Sequence, residues 1–166
     1  MKKIIIFFIA IFSYALQTTV LQHFHSIGIS INASFVFICI LALYSNFYFG
    51  MGIVLLLGLV HDVLFSPWLG LQALIFVTIY ILIYYFMREK ITKKRYMILM
   101  IFTSTFLIHL MYLLFLFFFG HPLRPAYVLF KMFLGESFGN IIVSIPIYMI
   151  FNKIYKEQDS NYIHGI

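Results

Sequence analysis

From Ala33 to Val60 the chain carries no charged residue and no histidine, and beyond His61 and Asp62 the apolar block runs on to Phe65. As a single helix, 33–65 would be roughly 50 Å long at about 1.5 Å per residue. That is too long for one crossing of a hydrocarbon core of about 30 Å and short for two. Turn-forming residues interrupt its middle, Tyr44-Ser45-Asn46 followed by Gly50 and Gly52. The block is therefore expected to form two short helices.

Similar apolar runs fill the rest of the chain. The 166 residues are 64% hydrophobic and 10% charged, against roughly 45–50% and about 25% in a soluble domain, so lipid must cover most of this surface. Backbone groups in lipid have to be satisfied within the segment, which selects helices; the polar-inward alternation of a membrane strand is absent. The expected fold is an all-α, six-transmembrane-helix bundle forming one membrane domain over 1–166. Its spans lie near 4–21, 33–47, 50–65, 69–87, 97–119 and 126–151. Met1-Lys2-Lys3 and Ile4 to Phe12 have the shape of a signal peptide, but the apolar run continues to about Leu21, long enough for a span.

Charge placement decides between five and six spans. With six spans and a cytoplasmic start, Lys2, Lys3, Arg88, Lys90, Lys93, Lys94, Arg95, Lys153 and Lys156 lie inside and Arg124 outside, nine against one. Merging 33–65 into one span gives at best seven against three. Lys and Arg in short loops set orientation, so six spans with both termini cytoplasmic are expected. The net charge of +6 follows from these clusters and implies no nucleic acid. The basic stretch Arg88, Lys90, Lys93, Lys94 and Arg95 is expected to face anionic lipid or an acidic cytoplasmic partner.

Ionisable groups inside spans are costly and are functional candidates by default. Asp62 and Lys131 fall at one depth, roughly 6–8 Å below the outer interface, and form the natural ion pair; Gln17, His61 and Gln72 lie at similar levels. This set is either a pocket or partner contact open to the outside, or a group of interhelical hydrogen bonds. Glu136 and His109 fall near the midplane and are placed to pair, as a proton relay or as a buried hydrogen bond. His23 and His25 lack a third ligand, and Cys39 is the sole cysteine, so no metal, disulfide or cofactor is expected. No nucleophile–base constellation or phosphate loop is present, which speaks against an enzyme.

The stretch Gly52 to Leu74 carries Gly58, Leu59 and Asp62, a short turn, then Leu69-Gly70 and Ala73-Leu74. It resembles the signature region of MreD, the rod-shape-determining membrane protein family of bacteria. Weaker likeness covers the whole chain through Gln17, Arg124-Pro125, Pro146 and a basic tail; the entry to span two departs, with Ile31-Asn32-Ala33 where a proline is expected. The resemblance implies a non-enzymatic subunit of the cell-wall elongation (rod shape-determining) complex in the bacterial cytoplasmic membrane, supporting cell shape and peptidoglycan synthesis. Its partners would be MreC, bound directly and largely within the membrane, with MreB, RodA and a class B penicillin-binding protein in the same assembly. It also implies a fold similar to the substrate-binding S-components of energy-coupling-factor transporters, and a vitamin-binding subunit of that kind is the alternative. Those subunits dock through Ala-x-x-x-Ala on the first helix, whereas Ala10 and Ala15 are five apart here. Close helix contacts are expected at Gly50, Gly52, Gly58, Gly70, Gly135 and Gly139.

Overall fold

The computed structural model describes residues 2–21, 31–66, 68–88, 94–120 and 126–163. Within them the chain forms six helices and no strand: α1 (Lys2–Thr19), α2 (Ala33–Tyr44), α3 (Phe47–Phe65), α4 (Leu71–Leu82) continued by a π-helical turn (Ile83–Met87), α5 (Lys94–Phe118) and α6 (Ala126–Ile163). Phe47–Phe65, Tyr96–Phe118 and Leu129–Tyr155 are long and apolar enough to cross a membrane; Lys3–Thr19, Ala33–Tyr44 and Leu71–Met87 are shorter apolar helices. His23 and His25, read as loop residues without a third ligand, and Lys90, Lys93, Arg124 and Pro125, lie outside the described residues.

The 33–65 block divides at two residues, Ser45 and Asn46. Asn46 starts α3 by accepting the Tyr48 N–H at 3.2 Å, an ordinary N-cap. Ser45 ends α2 in an extended conformation with its N–H on Leu41 O. From α4, the Tyr80 hydroxyl meets Ser45 Oγ at 3.1 Å and Phe47 O at 3.3 Å. Arg88 Nη1 donates to Ser45 O at 3.1 Å while its guanidinium lies over the Tyr84 ring. Gly50 and Gly52 lie inside α3, and the break falls a few residues before the expected gap between 47 and 50.

Helix α2 is the centre of the bundle. It packs on α1, α3, α4, the π turn, α5 and α6, and its residues from Ala33 to Ala42 are all buried. A helix that is hydrophobic on every side needs such a position. At about 18 Å it is too short to cross a bilayer core alone. Helices α2 and α6 run parallel and in register: Asn32 N–H donates to Asn140 Oδ1 and Tyr44 OH to Asn152 Oδ1, each across 108 residues of chain. Tyr44, Tyr148, Phe151 and Tyr155 stack around the second of these bonds. That packing carries α6 past the expected end at 151, and no glycine or proline stops it before Gly165.

The bundle thus has two distinct ends. One gathers Lys3 (over the Phe49 ring), the Ser45-Asn46 turn, Arg88 and Asn152. The other gathers the α3–α4 connection, where Trp68 packs on Phe115 of α5.

The expected packing glycines separate by surroundings. A Cβ on Gly58 would run into the Cα of Ala73, so α3 and α4 approach there to backbone distance, and one on Gly50 would run into the Tyr80 and Ser45 side chains. A Cβ on Gly52 would meet nothing within 4 Å, and Gly70 is a turn residue at φ +91° whose added Cβ would also meet nothing; neither packs closely against another helix within this chain. Gly139 is buried and Gly135 half-buried in α6. The same substitution should therefore act in opposite directions at two sites on one helix. Gly58→Ala is expected to lower the thermal midpoint in detergent, by an overpacking cost of about 1–3 kcal/mol. Gly52→Ala should leave it unchanged or raise it, by up to about 1 kcal/mol of helix propensity.

Candidate functional site

Helix α4 begins inside apolar surroundings without a local cap. The connection Ser66, Trp68, Leu69, Gly70 turns sharply, Gly70 adopting a left-handed conformation at φ +91°, and Gly70 supplies no side chain to cap the helix. The first amides of a helix must nevertheless find acceptors. Asp62, fully buried at 0% exposure, reaches across from α3. Its Oδ2 accepts from Gly70 N at 3.0 Å and Ala73 N at 3.1 Å, and its Oδ1 from Gln72 N at 3.0 Å. The positive end of the α4 dipole adds to these bonds.

This arrangement corrects the expected Asp62–Lys131 ion pair. Both Asp62 oxygens are taken by main-chain donors, and Lys131 is exposed on α6. A carboxylate held by three amides at a helix start needs no second charge brought out of water. The expected polar set at this level also disperses. Gln72 is buried and its Oε1 accepts from the Tyr112 hydroxyl of α5. Gln17 lies elsewhere, its Oε1 accepting from Ala33 N at 2.7 Å. His61 packs edge-on to Phe65 and Phe76, and its Nδ1 has no hydrogen-bond partner.

Helix α2 has the same problem as α4 and solves it with three amides to three side chains. Besides Gln17 on Ala33 N, Asn140 Oδ1 accepts from Asn32 N at 2.8 Å and Asn32 Oδ1 from Phe35 N at 3.0 Å. Asn140 is 0% exposed, and its Nδ2 donates to Thr105 Oγ1 at 3.2 Å. Thr105 lies about halfway along α5, so α2 starts near mid-depth of the bundle.

The third group is an ionisable pair. His109 Nε2 stands 3.5 Å from Glu136 Oε2, and His109 Nδ1 is 3.0 Å from Thr105 O. A carbonyl only accepts, so Nδ1 carries the hydrogen. Nε2 is then the nitrogen that faces the Glu136 carboxyl. Unlike Asp62, these side chains stay partly open, at 19% and 13%. Phe133 closes one side of the histidine ring, and exposed Phe106 and Leu110 flank it along α5.

Thr105, His109 and Tyr112 recur at helical spacing on one face of α5, so a single stripe joins α5 to Asn140 and Glu136 of α6 and to Gln72 of α4. Thr105, Asn140, Asn32 and Tyr112 were not singled out from the sequence. Their spacing within apolar helices was the available signal. No group of three or more metal-binding side chains occurs among the described residues. Of the basic stretch, Arg88 closes the α2–α3 turn, and Lys94 and Arg95 open α5.

Apolar helices, three of them long enough to cross a bilayer, with their few interior charges held by main-chain amides or in a pair, define a small helical membrane protein. The family model of the rod shape-determining protein MreD matches residues 1–158, and the chain belongs to that family. No curated protein and no solved structure matches it.

Asp62→Ala removes the acceptor from three buried amides, each worth about 1–3 kcal/mol when orphaned. Unfolding of the variant in a denaturing detergent titration should shift by several kcal/mol in total, with hydrogen exchange at Gly70, Gln72 and Ala73 accelerated. Lys131→Ala should change stability by no more than about 0.5 kcal/mol. A large effect of Lys131→Ala would restore the ion pair. Asn140→Ala should cost about 1–3 kcal/mol by orphaning the Asn32 amide, read in the same titration.

Proposed function

We propose that this protein is a non-enzymatic subunit of the bacterial cell-wall elongation assembly, crossing the cytoplasmic membrane six times with both termini inside. In this role it binds MreC by helix-to-helix contact and works beside MreB, RodA and a class B penicillin-binding protein. Membership of the MreD family across residues 1–158 carries the proposal. The alternation of the six helices supports the topology, because Lys3, Arg88, Lys94 and Lys153 collect at one end, as cytoplasmic cations do.

The polar groups favour a scaffold over a vitamin-binding transporter subunit. A ligand pocket at the Trp68 end would draw on the polar groups there, and of these Asp62 and Gln72 are engaged by protein partners, as is Gln17 at the α2 start, which leaves only His61 Nδ1 of the expected set without one. The His109–Glu136 pair differs, since an ionisable pair partly open on an intramembrane face is costly against lipid. A partner helix laid along α5 and α6 would cover it, with the exposed Phe106, Leu110 and Phe130 as apolar anchors.

Depleting the protein in a rod-shaped host should give round cells; retention of rod shape would sink the assignment. The double variant His109→Phe/Glu136→Leu should insert normally and lose MreC in detergent co-purification by about tenfold, equivalent to ~1.4 kcal/mol. Wild-type recovery of MreC would move the contact off the α5–α6 face and leave the family role standing.

A further inference from the structure

Three enclosed hydroxyls take no part in the polar stripe along α5. Tyr14 Oη, Ser34 Oγ and Ser137 Oγ make no hydrogen bond, and Ser34 and Ser137 are only 1% and 2% exposed. A serine inside an apolar helix ordinarily turns onto a carbonyl of its own helix. Elsewhere this chain conforms: Ser13 Oγ donates to Ile9 O and Ser144 Oγ to Ile141 O, both at 2.7 Å.

The three exceptions come from three helices that meet at the start of α2. Gln17 Oε1 accepts from Ala33 N and Asn140 Oδ1 from Asn32 N. Tyr14 is one turn from Gln17 on α1, and Ser137 one turn from Asn140 on α6, so each lies on the helix face that meets this start. Ser34 belongs to the first turn of α2 itself. Because Cβ atoms tilt toward a helix N-terminus, its hydroxyl leans to the open end.

The same turn has a main-chain donor to spare. Side chains take the Asn32, Ala33 and Phe35 N–H groups, and the Ser34 N–H between them has no acceptor among the described residues. A helix end buried in that way requires a partner, as does each buried hydroxyl.

Charge restricts what that partner is. A cation would meet the positive end of the α2 dipole. An anion would meet the amide oxygens of Gln17, Asn32 and Asn140, with Glu136 next to Ser137 in the chain. Water is neutral, accepts from an amide and bonds a hydroxyl in either direction. Buried waters make about three hydrogen bonds to groups that would otherwise be unsatisfied.

We propose that the start of α2 is a built hydration site, where a resident water accepts from the Ser34 N–H and joins the Ser34 hydroxyl to those of Ser137 and Tyr14. Water then supplies the one acceptor the first turn of α2 lacks, at a depth where lipid offers none. Neither member of the His109–Glu136 pair contributes to the site, so it is independent of the partner assignment.

The test uses the full chain, isotopically labelled, in bilayers of deuterated lipid, with solid-state NMR reading the transfer of proton polarisation from water. The Ser34 amide should receive it at least threefold faster than the amides of Phe37 to Ala42. It should also lead the amide of Ser144, which is as deeply buried but bonded within its own helix. Tyr14→Phe and Ser137→Ala each remove one hydroxyl without altering Ser34, and each should slow the transfer at least twofold, whereas Ser144→Ala should leave it unchanged. The proposal fails if the Ser34 amide of the unaltered chain is no faster than those of Phe37 to Ala42. It fails equally if both hydroxyl variants transfer like the parent, or if Ser144→Ala slows transfer as much as they do. The reading on the unaltered chain holds whether or not a variant folds.

Discussion

A helix that starts within apolar surroundings exposes main-chain N–H groups that neither lipid nor hydrocarbon side chains can satisfy. Two helices of this bundle start in that way. Asp62 answers the need at α4, and Gln17, Asn32 and Asn140 answer it at α2. Apart from Asn32, the local cap of α2, the acceptors come from α1, α3 and α6, so satisfying the amides also fixes which helices are neighbours and at what height. Apolar packing between helices supplies little of that specificity in a membrane, because lipid tails are as apolar as leucine. The close approach at Gly58 and Ala73 follows from the same constraint, since Asp62 reaches the α4 amides only if α3 and α4 nearly touch.

The remaining interior polarity is arranged along α5. Thr105, His109 and Tyr112 connect it to α6 and α4; Thr105 and Asn140 are buried, whereas His109, Glu136 and Tyr112 keep partial access to the surroundings. Groups consumed by main-chain donors hold the architecture, and the proposed partner face rests on the partly open His109–Glu136 pair. That division assigns different physical work to residues that look alike in composition.

Much of the architecture was legible in the residues. The block 33–65 had to break, and Ser45-Asn46 offered a cap and a turn. The depths of His109 and Glu136 followed from rise per residue alone, and the structure brings them to 3.5 Å. Asp62 was recognised as buried but was matched to Lys131, because charge is visible in a sequence and main-chain amides are not. A signal was present: Trp68-Leu69-Gly70-Leu71 begins a helix with no Ser, Thr, Asp or Asn to cap it, so a distant acceptor was required. The residues from Asn152 were read as a polar tail after the sixth span, and the α6 helix continues through them to Ile163. Tyr44, a hundred residues upstream, is what holds it.

Because α2 is completed by Asn140 and Asn152 of α6, each 108 residues further along the chain, the centre of this bundle is finished late in its synthesis. While residues 33–44 emerge, no helix yet made can offer those two acceptors, and a segment of about 18 Å is too short to settle across the bilayer unaided. The nascent chain therefore holds a central helix whose Asn32 amide lacks its acceptor until 108 further residues have been made. A chain stopped before Asn140 lacks more than its final helix, since its second helix has lost the group that anchors its start. Such a fragment carries a polar flaw at mid-depth, the kind of feature by which membrane quality control can distinguish an incomplete chain from a finished one.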